Sequence, residues 1–480
     1  MSDAVFDPLI WLILLPLTWA SLSFLLGPQR GAGLAIAGLA GQLWLALQLA
    51  GELLASGART HAVGGWQAPL GIDLLADGLA VAMLLLTQLV ALPLVFYARI
   101  YFGPKSTTGQ YFWPLTGFLI AGLNALFLSA DLFNIYVTLE LVGLAAVGLV
   151  AAGGSAGQVA AALRYLFATL LGSGAYLLGV ALIYGTYGSV SISSLSALLT
   201  VNAPDVVKIA GSLMLLGLLL KTALFPFHFW LPPAHGGAPA PVSALLSALV
   251  VKASFYLILR LWLGPFAPLA DVLAWLPAGL GVGAIFWGSL MAIRAKRLKM
   301  LIAYSTVAQL GYLFLIFPLL SGPGAVQAGV MQAFAHGLAK AAMFIAAGVV
   351  IKATGQETVD ALAGVAQRLP LTLFAFGLAG ITLMGLPPSA GFLAKWLLIE
   401  AALAQGHWVI MVVVLSGGLL AAVYVFRVLR QAFLLAPAAT DFSPVPRSLE
   451  WTAFILAAAS VLPGLRGVEL MQLLAVGAPL

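Results

Sequence analysis

The chain has 480 residues, 62% of them hydrophobic and 8% charged, with a formal net charge of +6. Soluble globular chains carry about a quarter charged residues, so this composition excludes that class and indicates an integral membrane protein. Cysteine is absent, which excludes disulfides and thiolate-held iron–sulfur clusters and assigns any redox chemistry to a partner.

The apolar runs are about 20 residues long, the length of membrane helices rather than of barrel strands. In chain order they predict about 14 spans, near 8–26, 33–54, 78–101, 112–130, 132–152, 159–184, 206–226, 240–263, 271–293, 300–319, 325–351, 370–399, 408–434 and 450–465. The first run lacks a positive leader, with only Asp3 and Asp7 before it, so no cleaved signal peptide is expected. The longest connections, near 185–205 and 435–449, are Ser-, Pro- and Ala-rich and read as loops.

Lysines and arginines divide unevenly between the two sides. One side collects Arg30, Arg99, Lys105, Arg164, Arg294, Lys296, Arg297, Lys299, Lys352, Arg368, Arg427, Arg430 and Arg447; the other has only Arg59, Lys208, Arg260 and Arg466. The positive-inside rule makes the first side cytoplasmic and places both termini outside. This bias accounts for the net positive charge, so no nucleic acid partner is expected.

Lys221, Lys252, Lys340 and Lys395 fall inside spans. Ionisable groups in hydrocarbon are costly unless they face a partner or a water-lined path. Lys221 precedes a helix break in LLLKTALFPFHFWLPPAH, and Lys252 lies near the middle of the next span. Non-helical backbone at that depth is tolerated only inside protein or around a cavity. Glu140 is the acid well inside a span, and Lys221 is its candidate partner if the fifth and seventh spans pack together. A static ion pair and a modulating pair both satisfy this reading. Lys252 reads as a proton-exchanging group or as a brace on carbonyls of the broken helix.

His336 and Lys340 are four apart in MQAFAHGLAKAAMF, hence on one helical face; histidine is a common proton relay. Lys395 follows a second break, ITLMGLPPSAGFLAKW, with Glu400 as a candidate partner. Two interrupted apolar segments in corresponding positions point to a repeated architecture and to the transport site. His228 and His235 flank the first break, and Lys299 ends the basic run RAKRLKM; these three are candidates for proton entry. His61 and His407 are assigned no role. No phosphate loop, zinc-type spacing or nucleophile triad is present, so neither a metal nor a cofactor is expected.

The motifs LVGLAA after Glu140, LLKTALFPFHFWLPPAH, PVSALLSALVVK, RLKMLIAYSTVAQLGY, AFAHGLAKAAMF and GLPPSAGFLAKW occur in this order. Over roughly 70–430 the chain resembles the antiporter-like subunit family. That family includes the large membrane subunits of respiratory complex I, Mrp-type sodium/proton antiporters and membrane-bound hydrogenases. DLFNIYVTLE and GFLAKW look most like the D-type subunit of the Mrp antiporters.

The resemblance implies an all-α membrane protein of 14 helices, with two inverted five-helix repeats and discontinuous helices at spans 7 and 12. The expected divisions are 1–110 (helices 1–3), 111–264 (first repeat), 265–434 (second repeat) and 435–480 (C-terminal loop and last helix). It implies a proton path through Glu140, Lys221, Lys252, His336, Lys340 and Lys395. Where some members carry a histidine one turn before His336, this chain has Gln332, which makes water more important there. The chain ends soon after its last span, so the long lateral helix of the most distal complex I subunit is not expected.

The function expected is therefore proton translocation within a multisubunit Mrp-type cation/proton antiporter of a bacterial-type inner membrane, with no catalytic centre of its own. Its expected partners are other membrane subunits, lipid, protons and sodium. The alternatives are a pump subunit of a redox-driven complex, an energy-coupling partner in inorganic carbon uptake, and a stand-alone solute carrier.

Overall fold

The computed structural model describes residues 7–68, 70–103, 106–435 and 442–477. Asp3, Lys105 and residues 436–441 of the loop expected at 435–449 lie outside the described residues. Among the described residues, thirteen helices are long and apolar enough to cross a membrane. A fourteenth crossing is built from two shorter pieces.

The helices are α1 (Pro8–Leu26), α2 (Pro28–Ser56), α3 (Gly78–Phe102), α4 (Thr107–Leu128), α5 (Leu132–Ala151), α6 (Ala156–Tyr187), α7a (Asp205–Thr222) and α7b (Leu231–Gly237). There follow α8 (Ala240–Leu263), α9 (Trp275–Arg294), α10 (Leu298–Leu319), α11 (Ala325–Thr354), α12a (Pro370–Met384), α12b (Ala390–Ala404), α13 (Trp408–Phe433) and α14 (Arg447–Leu465). A β-hairpin pairs Arg59 with Ala76 and Ala62 with Asp73. It was not expected from the sequence, nor were the short helices Ile192–Leu198 and Gly467–Leu474. The first of these lies within the loop expected near 185–205.

The seventh and twelfth crossings break in the same way. Each first half ends with a left-handed residue, Ala223 at φ 58° and Gly385 at φ 82°. In each, the next N–H reaches back five residues, Leu224 to the Leu219 carbonyl and Leu386 to the Ile381 carbonyl. This is the Schellman closure of a helix C-terminus. Ala223 adopts it without glycine's freedom, a conformation that costs a side-chain-bearing residue about 1 kcal/mol or more. Prolines follow each closure and prevent the helix from continuing. In the first break, Trp230 donates to the freed Leu220 carbonyl at 3.0 Å and stacks on Tyr165, with ring centroids 4.2 Å apart.

Two glycine contacts set the spacing around these breaks. A side chain at Gly217 would collide with the Gly172 carbonyl, so glycine there lets α7a lie directly against α6. One at Gly311 would collide with the Gly281 carbonyl, and its absence does the same for α10 and α9. Such close backbone approach is how membrane helices gain packing where lipid is as apolar as leucine. The most apolar stretch of α8 is entirely buried, and that of α11 is nearly so. α1, α6 and α13 turn Phe24, Phe167, Leu171, Leu419 and Phe426 outward, as helices facing lipid do.

One ion pair seals the hairpin end of the molecule. Arg260, in the last turn of α8, holds both carboxylate oxygens of Asp77, the N-cap of α3, and also donates to Tyr256 Oη at 2.8 Å. Tyr256 in turn donates to the Phe127 carbonyl of α4. Sequence alone groups Arg260 with the few basic residues of the outer side, and in the structure its side chain is 12% exposed and that of Asp77 only 4%. Removing one partner of such a pair leaves an uncompensated buried charge, at a cost of about 3–5 kcal/mol. Arg260→Met is therefore expected to lower the thermal midpoint of the purified protein sharply. The double variant Arg260→Met with Asp77→Leu should recover much of that loss in the same melting assay.

Candidate functional site

The four lysines inside spans are all buried, at 7%, 0%, 0% and 7% exposure for Lys221, Lys252, Lys340 and Lys395. None of them forms a salt bridge among the described residues. Each ammonium is instead held by a backbone carbonyl, and two of the four also by a hydroxyl.

Lys221, in the last turn of α7a, donates to Thr169 Oγ1 of α6 at 2.7 Å and to the Leu139 carbonyl of α5 at 3.4 Å. Glu140 follows Leu139 in the chain and acts electrostatically on Lys221. One of its carboxylate oxygens, Oε1, is buried without a hydrogen-bond partner. The expected pair is thus close but not joined. A cavity of ≈ 10 Å³, room for a single water, lies beside Lys221. It is lined by Thr169 and Tyr165 of α6 and by Val250, Ala253 and Ser254 of α8.

Lys252 donates to the carbonyl of Ser247. That carbonyl belongs to a π-helical turn, Leu246–Val250, inserted into α8. A π-turn disturbs the regular backbone ladder, and such turns are frequent at functional sites. Ser247 Oγ lies 2.9 Å from Thr306 Oγ1 of α10, and Thr306 donates to the Ile302 carbonyl at 3.0 Å. Lys340 of α11 donates to the same Ile302 carbonyl at 3.1 Å and to Ser305 Oγ. Lys252 and Lys340 are therefore connected by an unbroken run of Ser247, Thr306 and Ile302.

A second run continues from α11 to α12. Gln332, one turn before His336, donates to Gln309 Oε1 of α10 at 3.0 Å, and Gln309 donates to the Leu383 carbonyl at 3.1 Å. Lys395 donates to that carbonyl and to the Met384 carbonyl, both at 2.9 Å. These are the last carbonyls of α12a, left free by the break. The Lys395 ammonium also lies 4.5 Å from the centre of the Tyr312 ring, within cation–π range. Glu400 is exposed and takes no part.

His336 is fully buried between the two runs, and both its ring nitrogens lack a protein partner. Sequence alone sets His235 beside the break as an entry point. It lies fully buried in α7b against the rings of Trp230 and Phe344, also with both nitrogens unpartnered. Both imidazoles are within electrostatic reach of Lys252 and Lys340. His228 is half-buried, accepts from Trp287 Nε1 at 3.1 Å, and stays outside both runs. Lys299 is buried and donates to the Ala238 carbonyl just past α7b.

Sequence reasoning missed Thr169, Ser247, Ser305, Thr306, Gln309 and Tyr312. The signal for the α10 residues was present: in KMLIAYSTVAQLGY, Lys299, Thr306, Gln309 and Tyr312 recur at helical spacing within an apolar span. Thr169 and Ser247 each have a serine one turn away, Ser173 and Ser243, but such small hydroxyls in an apolar helix point to no partner.

Fold and site together define an α-helical membrane protein with a buried, carbonyl-anchored lysine axis at its centre. Comparison with known proteins agrees. Residues 129–421 match the family model described as NADH:quinone oxidoreductase/Mrp antiporter, TM. The NADH-quinone oxidoreductase subunit N of Desulforudis audaxviator is 37% identical over 413 residues, covering 84% of this chain and 81% of that protein. The D subunit of the Na(+)/H(+) antiporter of Alkalihalophilus pseudofirmus is 31% identical over 432 residues, covering 88% and 86%. A chain of the Mrp complex from Dietzia sp. superposes with a TM-score of 0.91 at 27% identity, covering 98% of this chain and 96% of that one. The chain belongs to the NADH:quinone oxidoreductase/Mrp antiporter transmembrane family.

Gln309 joins α10, α11 and α12 through one amide. Replacing it by leucine leaves the Gln332 amide without its partner in a buried site, where an unsatisfied group costs about 1–3 kcal/mol, and leaves the Leu383 carbonyl with Lys395 alone. Gln309→Leu is expected to lower the melting midpoint of the purified protein, whereas Gln309→Asn should fall between that variant and wild type.

Proposed function

We propose that this chain is the proton-translocating membrane subunit of a multisubunit cation/proton antiporter of the Mrp type. The observation that carries the reading is the series of buried lysines from α7 to α12, each held by a backbone carbonyl, with hydrogen-bonded runs joining Lys252 to Lys340 and Gln332 to Lys395. Similarity to an Mrp chain over nearly the whole length supports the choice of host complex. The subunit works alongside other membrane subunits in a bacterial-type inner membrane. Its Arg-rich face is cytoplasmic and both termini are outside. The matching breaks at Ala223 and Gly385 support reading 111–264 and 265–434 as two repeats.

Protons pass from Lys221 to Lys252, through the His336–Lys340 region, to Lys395. Glu140 sets the direction at the first step. At 4 Å and an effective dielectric near 20, a carboxylate–ammonium pair is worth about 4 kcal/mol. Forming or opening the pair therefore decides whether Lys221 keeps its proton. His235 and Lys299 lie on the route from the cytoplasmic face, while His228 is a more peripheral entry candidate.

A second reading has a specific observation in its favour. The 37% identity to an oxidoreductase subunit N supports a redox-driven complex in which the same lysines pump. The chain has no cysteine, so the electron carriers would sit in other subunits. Mass spectrometry of the complex purified through a tag on this chain separates the two. Small membrane subunits without redox proteins favour the antiporter, and flavin or iron–sulfur partners favour the pump.

Single alanine substitutions of Lys221, Lys252 and Lys395 test the path itself. Each is expected to cut sodium-driven proton flux in everted vesicles by at least about tenfold, a barrier of about 1.4 kcal/mol, with assembly preserved on native gels. Wild-type flux from an assembled Lys221→Ala complex would overturn the proposed path.

A further inference from the structure

The geometry points to Thr169 as a positioning residue for proton transfer, a perch that holds Lys221 away from Glu140. This inference rests on the proton-path reading above and adds a second resting place to its first step.

Three observations carry it. First, the Lys221 ammonium is bonded to Thr169 Oγ1 at 2.7 Å and not to the carboxylate. Thr169 is 3% exposed, so bulk solvent has little access to this bond. Second, Glu140 is near enough to act on Lys221, and the ammonium also touches the carbonyl of the residue before it, Leu139, at 3.4 Å. The Glu140 carboxylate nevertheless keeps a buried oxygen without a hydrogen-bond partner. An anion with an unused, buried acceptor beside an occupied cation describes one position of a two-position switch.

Third, the packing around the perch is fitted to the lysine. A side chain at Gly143 of α5 would meet Thr169 Oγ1 at 2.7 Å. One at Gly172 of α6 would meet Lys221 Cγ at 3.0 Å. Glycine at both places leaves room for the hydroxyl and for the lysine stem lying across α6. The perch faces the ≈ 10 Å³ cavity bounded by Val250, Ala253 and Ser254 of α8. The same cavity is lined by Leu139, Val142 and Gly143 of α5, so Lys221 on Thr169 borders the helix that carries Lys252.

The threonine hydroxyl can hold the ammonium without neutralising it. A hydrogen bond to a charged group is strong enough to fix its position, yet the hydroxyl carries no charge of its own. The perch therefore stabilises the position turned away from Glu140 while leaving the proton free to move on.

A double-mutant cycle on the assembled complex tests this, with flux read per complex. Thr169→Val keeps the shape and removes the hydroxyl, and is expected to slow sodium-driven proton flux about tenfold, the factor associated with losing one hydrogen bond to a charged group. Thr169→Ser restores the hydroxyl and is expected to stay within roughly twofold of wild type. In a Glu140→Gln background the competing anion is gone, so adding Thr169→Val should change flux by less than roughly twofold. Wild-type flux in Thr169→Val, an equal defect in Thr169→Ser, or a full additional defect in the Glu140→Gln background would each overturn the perch. Because Lys221→Ala is measured alongside, these outcomes are distinguishable from failure of the path: an active Lys221→Ala complex sinks the path, whereas an inactive one with a normal Thr169→Val sinks the perch alone.

Discussion

Buried ammonium groups outnumber buried carboxylates along the axis of this protein, and the rest of the structure accommodates that imbalance. Four lysines lie inside spans, with Glu140 as the acid among them. Counter-ions cannot satisfy them, so the backbone does. Inside a regular helix each carbonyl is already used four residues on, so a lysine there must share one, as Lys340 does at Ile302 and Lys221 at Leu139. The chain supplies acceptors by interrupting its helices: the end of α12a for Lys395, and the π-turn of α8 for Lys252. Breaks and π-turns are usually costs in a membrane helix, and here the break in α12 and the π-turn of α8 each hold a lysine.

This constraint explains why α10 is central although it carries only one lysine, Lys299, at its end. Its Ile302 carbonyl, Ser305 and Thr306 serve Lys340 and connect it to Ser247. Gln309 and Tyr312, one and two turns further on, serve the α12 break and Lys395. A single helical face therefore bridges the two halves of the axis. The glycine contact between Gly281 and Gly311 fixes α10 against α9, which keeps that face turned inward.

Much of this was legible in the sequence, for identifiable reasons. Span length and hydropathy give the helices because the bilayer imposes them. The two breaks follow from FPFHFWLPP and GLPPSAG because proline cannot continue a helix. Glu140, the four lysines and His336 stand out because charge and imidazole are rare at that depth. The partners were less legible. A threonine or serine in an apolar helix usually bonds its own preceding turn, as Thr138 and Ser173 do here, so Thr169 and Ser247 carried no distinguishing mark. The partner of Arg260 was hidden for a related reason: near a span end, sequence does not separate a solvated arginine from one folded back onto Asp77. His235 lies in a Pro- and Gly-rich stretch that reads as a loop, whereas its short helix packs into the interior.

Anchoring by carbonyls also bears on how such an axis transmits charge. A lysine locked in a salt bridge is stabilised in its protonated form, and moving the proton on means losing the whole attraction. A carbonyl or hydroxyl accepts from the ammonium and exacts a much smaller penalty when the proton leaves, because no net charge is stranded. Placing the strong electrostatic interaction only at the first step, between Glu140 and Lys221, and neutral acceptors at every later one makes a graded device. The beginning of the axis can be switched by moving a single side chain. The remainder, from Lys252 to Lys395, can follow without any further ion pair being made or broken.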